Sequence, residues 1–208
     1  MITALALAAI LGSPVQDKID FQLGWKQGDK ITYTVSTNAP LFGTNATGEL
    51  VLTVTKVDDK GSTVSASRVE FTSSRNLPMR PIEAGTLRFS KKGKILLEQV
   101  GVTSNAAVFF MFLTLPEEAI EVGDAFKVSM NMGGSSAVFD GKFVSLGGSS
   151  KSLASFESEG TFVGPGDIKT TVNLKTTFDI ANGTFVSCVA TFQGGSIVHS
   201  FKLKEPAK

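Results

Sequence analysis

Val172-Asn173-Leu174-Lys175-Thr176-Thr177-Phe178-Asp179-Ile180-Ala181-Asn182-Gly183-Thr184-Phe185-Val186-Ser187-Cys188-Val189-Ala190-Thr191-Phe192 is the stretch that decides the fold. Val172, Leu174, Thr176 and Phe178 recur every second residue, so an extended chain places them on one face. Asn182-Gly183 supplies the positive φ that a tight reversal needs. Val186, Cys188, Ala190 and Phe192 then return with the same period. The segment reads as a β-hairpin with one apolar face.

The same period runs outward in both directions. Toward the C-terminus, Ile197 to Leu203 predicts a last strand, with Ile197, His199 and Phe201 on one side and Val198 and Lys202 on the other. Toward the N-terminus, Val138 to Leu146 and Phe156 to Val163 flank the loop Gly147-Gly148-Ser149-Ser150. Phe126, Val128, Met130 and Met132 share a face. Leu87 and Phe89 lead into Lys91-Lys92-Gly93-Lys94, and Ile95 and Leu97 lead out. Leu50, Leu52 and Val54 precede the turn Asp58-Asp59-Lys60-Gly61, after which Ser62 to Phe71 extends again. Ile31, Tyr33 and Val35 alternate with Thr32, Thr34 and Ser36.

One segment departs from this pattern. Asn105 to Leu115 is apolar without alternation and stops at Pro116. Thr103 or Ser104 is a suitable cap, so a short buried helix is expected there, with a fully buried strand as the alternative. It is too short to span a bilayer. Gly28-Asp29 and Gly123-Asp124 each precede a period-two run, an echo that predicts two similar halves. Convergent turn chemistry accounts for it equally well.

Residues 1–16, MITALALAAILGSPVQ, differ from everything that follows. Ile2 to Leu11 is an apolar run of signal-peptide length, broken at Gly12, Ser13 and Pro14. A membrane-spanning helix needs about 20 apolar residues, and Asp17 and Lys18 arrive too early for one. The basic residues that normally open a signal are missing. The expectation is an export signal over 1–16 and a single β-rich domain over 17–208. No cysteine follows the apolar run, so the product is expected in the periplasm or outside the cell, without a lipid anchor.

Composition bounds the function. Twenty Lys+Arg against 19 Asp+Glu leave a net charge of +1, so no global field draws in nucleic acid. Sixteen Phe stand beside one Tyr and one Trp, whereas sugar- and base-stacking surfaces rely on Tyr and Trp. The single cysteine, Cys188, precludes an internal disulfide and reads as a small buried hydrophobe. His199, the single histidine, has no Gly-x-Ser-x-Gly elbow to serve. One His and one Cys do not make a zinc site, and no calcium loop occurs. Glu117-Glu118 and the Glu157/Glu159 pair read as solvated charges. Gly164-Pro165-Gly166-Asp167 is a turn, not a phosphate loop. No catalytic residue, metal or cofactor is predicted. What remains is an apolar surplus: Phe109, Phe110, Met111 and Phe112, with Met130 and Met132, form either plain core or a pliable apolar pocket between a curved sheet and a helix.

The Gly-Asp turns, the repeated hairpins, Leu115-Pro116 before the second Gly-Asp, and the closing Phe178-Asp179-x-x-x-Gly183 hairpin together resemble a large group of bacterial exported β-rich proteins of unknown function. Some of these are similar to the periplasmic lipoprotein-carrier architecture, a curved antiparallel sheet with helices on its concave side. The likeness spans Asp17 to Lys208, and the carriers have more helix than this sequence offers. The expected fold is therefore mainly β: a curved antiparallel sheet or open barrel built from hairpins with one short helix, or else a two-sheet sandwich. The expected function is non-enzymatic, binding an apolar ligand or an envelope partner. The alternatives are a structural module that pairs through edge strands and a hydrolase using carboxylates.

Overall fold

A computed structural model describes residues 17–39, 44–73, 81, 83–96, 114–132, 135–148, 152–164 and 166–204. The segment expected as a signal, and the expected helix up to residue 113, lie outside them.

The described chain is a single antiparallel sheet. Its strands are β1 (Lys30–Ala39), β2 (Thr44–Asp58), β3 (Gly61–Ala66), β4 (Thr72–Ser73), β5 (Gly85–Ser90), β6 (Ala125–Met132), β7 (Ser135–Gly147), β8 (Leu153–Val163), β9 (Lys169–Asp179), β10 (Thr184–Phe192) and β11 (Ile197–Leu203). They lie in the order β5-β3-β2-β1-β11-β10-β9-β8-β7-β6, with the two-residue β4 added to β2. The path is open, with β5 and β6 at its ends. One sheet, not a pair, removes the sandwich alternative. A 3-10 turn over Gln193–Gly195 is the one helical element among the described residues.

The hairpins follow from local turn chemistry, and the join between β1 and β11 does not. Val35 pairs with Phe201 and Thr37 with His199 in that join. On the other side β1 pairs with β2, Tyr33 opposite Leu50. The inward faces are apolar. Tyr33, Val35, Leu50, Leu52, Phe139, Phe143, Val172, Phe178, Cys188 and Phe201 all belong to one buried cluster. Outward positions on β7, such as Asp140 and Lys142, are exposed. Gly160 on β8 lets β7 come close: a Cβ there would lie 2.0 Å from the Val138 carbonyl oxygen.

Three bulges bend this sheet, at Val54/Lys56, Phe143/Ser145 and Phe185/Ser187. The third corrects the alternation expected for β10. An extra residue in the strand reverses the parity of everything before it. Phe185, not Val186, therefore joins Cys188, Ala190 and Phe192 in the core, and Val186 is only half-buried.

Both Gly-Asp turns are built alike. Gly28 and Gly123 hold φ of 95° and 101°, a conformation that costs glycine nothing. The Asp29 carboxylate accepts from the Lys26 N–H at 2.7 Å, and that of Asp124 from the Glu121 N–H at 3.1 Å. The Gly28 N–H donates to the Val54 carbonyl and the Val54 N–H to that of Asp29. Gly123, Phe143 and Asp124 repeat the exchange. Val54 and Phe143 each stand at the start of a bulge.

Residues 17–29 form a strap across the inner face. Phe21 is wholly buried and meets the Phe143, Phe156 and Phe178 rings edge-on, at centroid distances of 5.2, 5.0 and 6.2 Å. Trp25 meets Phe89 of β5 at 5.4 Å. Ile19 exchanges backbone hydrogen bonds with Ile120. The Leu23 N–H donates to the Lys91 carbonyl just after β5, and the Leu115 N–H, ahead of β6, to that of Lys92. The sheet curves far enough for one strap to touch β5 as well as β7, β8 and β9. Asp20 also pairs with Lys92, whose hydrogen bond, helped by the Gln22 amide, holds the Asp20 carboxyl below its ordinary range.

Candidate binding cleft

A cleft of ≈ 900 Å³ opens where the strap crosses the ends of β1 and β11. Gln22 to Lys26 wall one side and the β9–β10 turn, Ile180 to Thr184, the other. The Gly24 N–H donates to the Gly183 carbonyl at 2.9 Å and ties the two walls together. The volume lies within the roughly 300–1,000 Å³ usual for small-molecule sites.

The cleft straddles the rim of the sheet, and its chemistry changes across that rim. Ile31 and Leu203 come from inward positions, each in register with the buried Tyr33 face. With Leu23 and Ile180 they are half-buried hydrophobes packed against the core. Trp25, 5% exposed, lies beneath them. Lys30, Thr32, Glu49 and Lys204 come from outward positions. Lys204 pairs with Glu49 at 2.5 Å. Among the described residues neither Lys26 nor Lys30 makes an ion pair.

The single Trp and single Tyr meet at one hydroxyl. The Trp25 Nε1–H donates to Thr184 Oγ1 at 3.2 Å, and the Tyr33 hydroxyl lies 3.4 Å from the same atom. The Tyr33 hydroxyl also donates to the Phe185 carbonyl at 3.2 Å. Burial pushes the Tyr33 phenol up to about 12, with the Thr184 hydrogen bond opposing it. This polar knot satisfies the buried ends of two large aromatics and fixes the cleft floor.

Of the apolar residues singled out from the sequence, only Met130 has a described side chain, and it does not line this cleft. Phe109, Phe110 and Phe112 fall outside the described residues. Met132 ends β6, and its side chain also falls outside. Met130 is buried on the inward face of β6 and accepts a hydrogen bond from the Thr114 hydroxyl at 3.2 Å. It borders a void of ≈ 20 Å³ among Phe126, Phe139, Phe156 and Leu174, room for no more than a water molecule. The cleft residues Leu23, Trp25, Ile31, Ile180 and Leu203 were not anticipated as a group. The alternation did place Ile31 on the Tyr33 face; Ile19, Phe21, Leu23 and Trp25 alternate as well, but that period does not say what the strap packs against.

The remaining reactive groups are built into the sheet. His199 Nδ1 lies 2.8 Å from the Thr37 hydroxyl and its ring meets Phe192 edge-on at 5.3 Å. Burial pushes the imidazole down to about 4. The buried Cys188 thiol accepts from the Thr176 hydroxyl at 3.6 Å, and burial pushes it up to about 11. Glu157 and Glu159 stand exposed on the outward face of β8, Glu157 in an ion pair with Lys175 at 3.0 Å. Among the described residues no three His, Cys, Asp or Glu side chains gather as a metal site would require, and no helix is long and apolar enough to cross a membrane.

The chain matches no protein-family model and no curated protein. Among solved structures it is similar to a protein of Bacteroides fragilis NCTC 9343, provisionally described as exported and as having a YmcC-like fold. The two share 12% identity at a TM-score of 0.43, over 90% of this chain and 99% of the other.

Proposed function

We propose that this chain is an exported, non-enzymatic binding protein that holds an apolar ligand at the open rim of its curved sheet. One observation carries the reading: the ≈ 900 Å³ cleft in which Leu23, Ile31, Ile180 and Leu203 leave apolar surface at the edge of the core. Apolar surface kept concave and partly wet is what a ligand would cover. Export rests on the apolar run Ile2 to Leu11.

Trp25 is the only tryptophan and lines the cleft, so its emission reports occupancy. Titration with the neutral apolar dye N-phenyl-1-naphthylamine is expected to give saturable energy transfer from Trp25. A linear, non-saturating response would refute the reading. Residues 1–16 fused to an enzyme active only after export should yield activity; an inactive fusion in a bacterial host would remove the export component.

A second reading has one observation behind it. Among the named strands β6 pairs only with β7, so its outer edge offers backbone hydrogen bonds to another chain. Concentration-dependent self-association, or strand-specific cross-linking through β6, would favour it; a monomer under both tests would not.

A further inference from the structure

We infer that the cleft selects amphiphiles with an anionic head, the apolar tail lying on the inward side of the rim and the head meeting Lys26 and Lys30. The inference rests on the cleft being the binding site and adds the class of ligand. Tail and head are separated by the strand itself. Successive residues of β1 point to opposite faces, so Ile31 contributes apolar surface while its neighbour Lys30 contributes charge on the far side. Leu203 and Lys204 repeat this alternation at the end of β11.

The charge balance sets the sign of the head. The cleft residues carry three ammonium groups, on Lys26, Lys30 and Lys204, against two carboxylates, on Asp29 and Glu49. Glu49 is taken by Lys204 at 2.5 Å. The Asp29 carboxylate is engaged by the Lys26 backbone N–H and closes the turn. The ammonium groups of Lys26 and Lys30 are left, among the described residues, without an ionic partner. A carboxylate or phosphate head accepts charge-assisted hydrogen bonds from such groups, and a cationic head is repelled by them. The tail is a single chain in scale, since four half-buried aliphatic side chains form its bed.

The test compares laurate, dodecanol and dodecyltrimethylammonium, which share a tail and differ in head charge. Binding to the full chain is followed by Trp25 emission and by displacement of N-phenyl-1-naphthylamine. Laurate is expected to bind roughly tenfold more tightly than dodecanol, an advantage that shrinks with added salt. The double variant Lys26→Gln/Lys30→Gln is expected to lose that advantage while keeping its affinity for dodecanol. Lys26→Arg/Lys30→Arg should retain it. Both lysines are exposed, and thermal melts of each variant check the fold. Equal affinity for laurate and dodecanol, or preference for the cation, overturns the inference and leaves the apolar cleft standing. A laurate preference that persists in the Gln variant assigns the head to other residues and also overturns it. Failure of the dye itself to bind removes the cleft reading and this inference together.

Discussion

Replacing Phe21 with alanine tests whether the strap is part of the core. Phe21 is 0% exposed and sits among three rings contributed by β7, β8 and β9. Losing the benzyl group forfeits about 2–3 kcal/mol of transfer free energy. The hole collapses only in part, because its walls are strands held in register, and the residual cavity adds about 1–2 kcal/mol at roughly 24 cal/mol per Å³. The sum, about 4 kcal/mol, is a large share of the roughly 5–15 kcal/mol that stabilises a domain. With a urea m-value of about 2.5 kcal/mol per M, the unfolding midpoint should fall by about 1.5 M. Phe21→Leu, which keeps most of the volume, should lose about half as much. The strap also carries Trp25, so Phe21→Ala should red-shift the tryptophan emission of the native state. A midpoint shift below about 0.4 M (roughly 1 kcal/mol), with emission unchanged, would show that the strap merely lies on a core complete without it.

Other outcomes are open to measurement. Gly28→Ala and Gly123→Ala should each cost about 1–2 kcal/mol, because both glycines sit at positive φ in turns with the same hydrogen bonds; unequal costs would argue against equivalent turns. His199 is held neutral in the folded state down to about pH 4, whereas the unfolded chain protonates it near 6.5. The unfolded state thus binds the extra proton between those values, so this contribution is full above about pH 6.5 and is lost as pH falls toward 4. It is on the order of 3 kcal/mol, and His199→Gln should flatten that part of the stability–pH curve; parallel curves would refute the burial argument. Cys188 should resist a thiol reagent at pH 8 until the protein unfolds, since it is buried and its thiol is pushed up to about 11. Rapid native labelling would contradict the packing of β9 on β10.

Much of the fold was legible because β-structure writes its face into every second residue. The hairpin around Asn182-Gly183 and the turn at Asp58 to Gly61 were readable from turn chemistry alone, and both join neighbouring strands. Val186 was misplaced because a bulge changes parity without leaving a mark in composition. The candidate site was less legible. The alternation put Met130 on one face with Phe126 and Val128, and Met130 is buried there, but a run of apolar residues looks the same whether it lines a pocket or fills a core. The strap was not legible as a strap: Ile19, Phe21, Leu23 and Trp25 alternate as a strand would, yet the segment lies outside the named strands of the sheet. Phe21 is buried against rings more than a hundred residues away, those of Phe143, Phe156 and Phe178, and Trp25 against Phe89.

By itself the sequence determined the class of structure: antiparallel strands, hairpin connections, one apolar face per strand, and a net charge of only +1. Those properties depend on side-chain alternation and on turn residues, which act over a few positions. Only the tertiary structure decided that β1 joins β11, that the open sheet curls until one strap reaches β5 and β9, and that the strap crosses the ends of β1 and β11 to leave a cleft. Alternation says which way a side chain faces but not which strand will lie beside it. A pairing such as Val35 with Phe201 is settled by how the whole sheet bends and closes over its core.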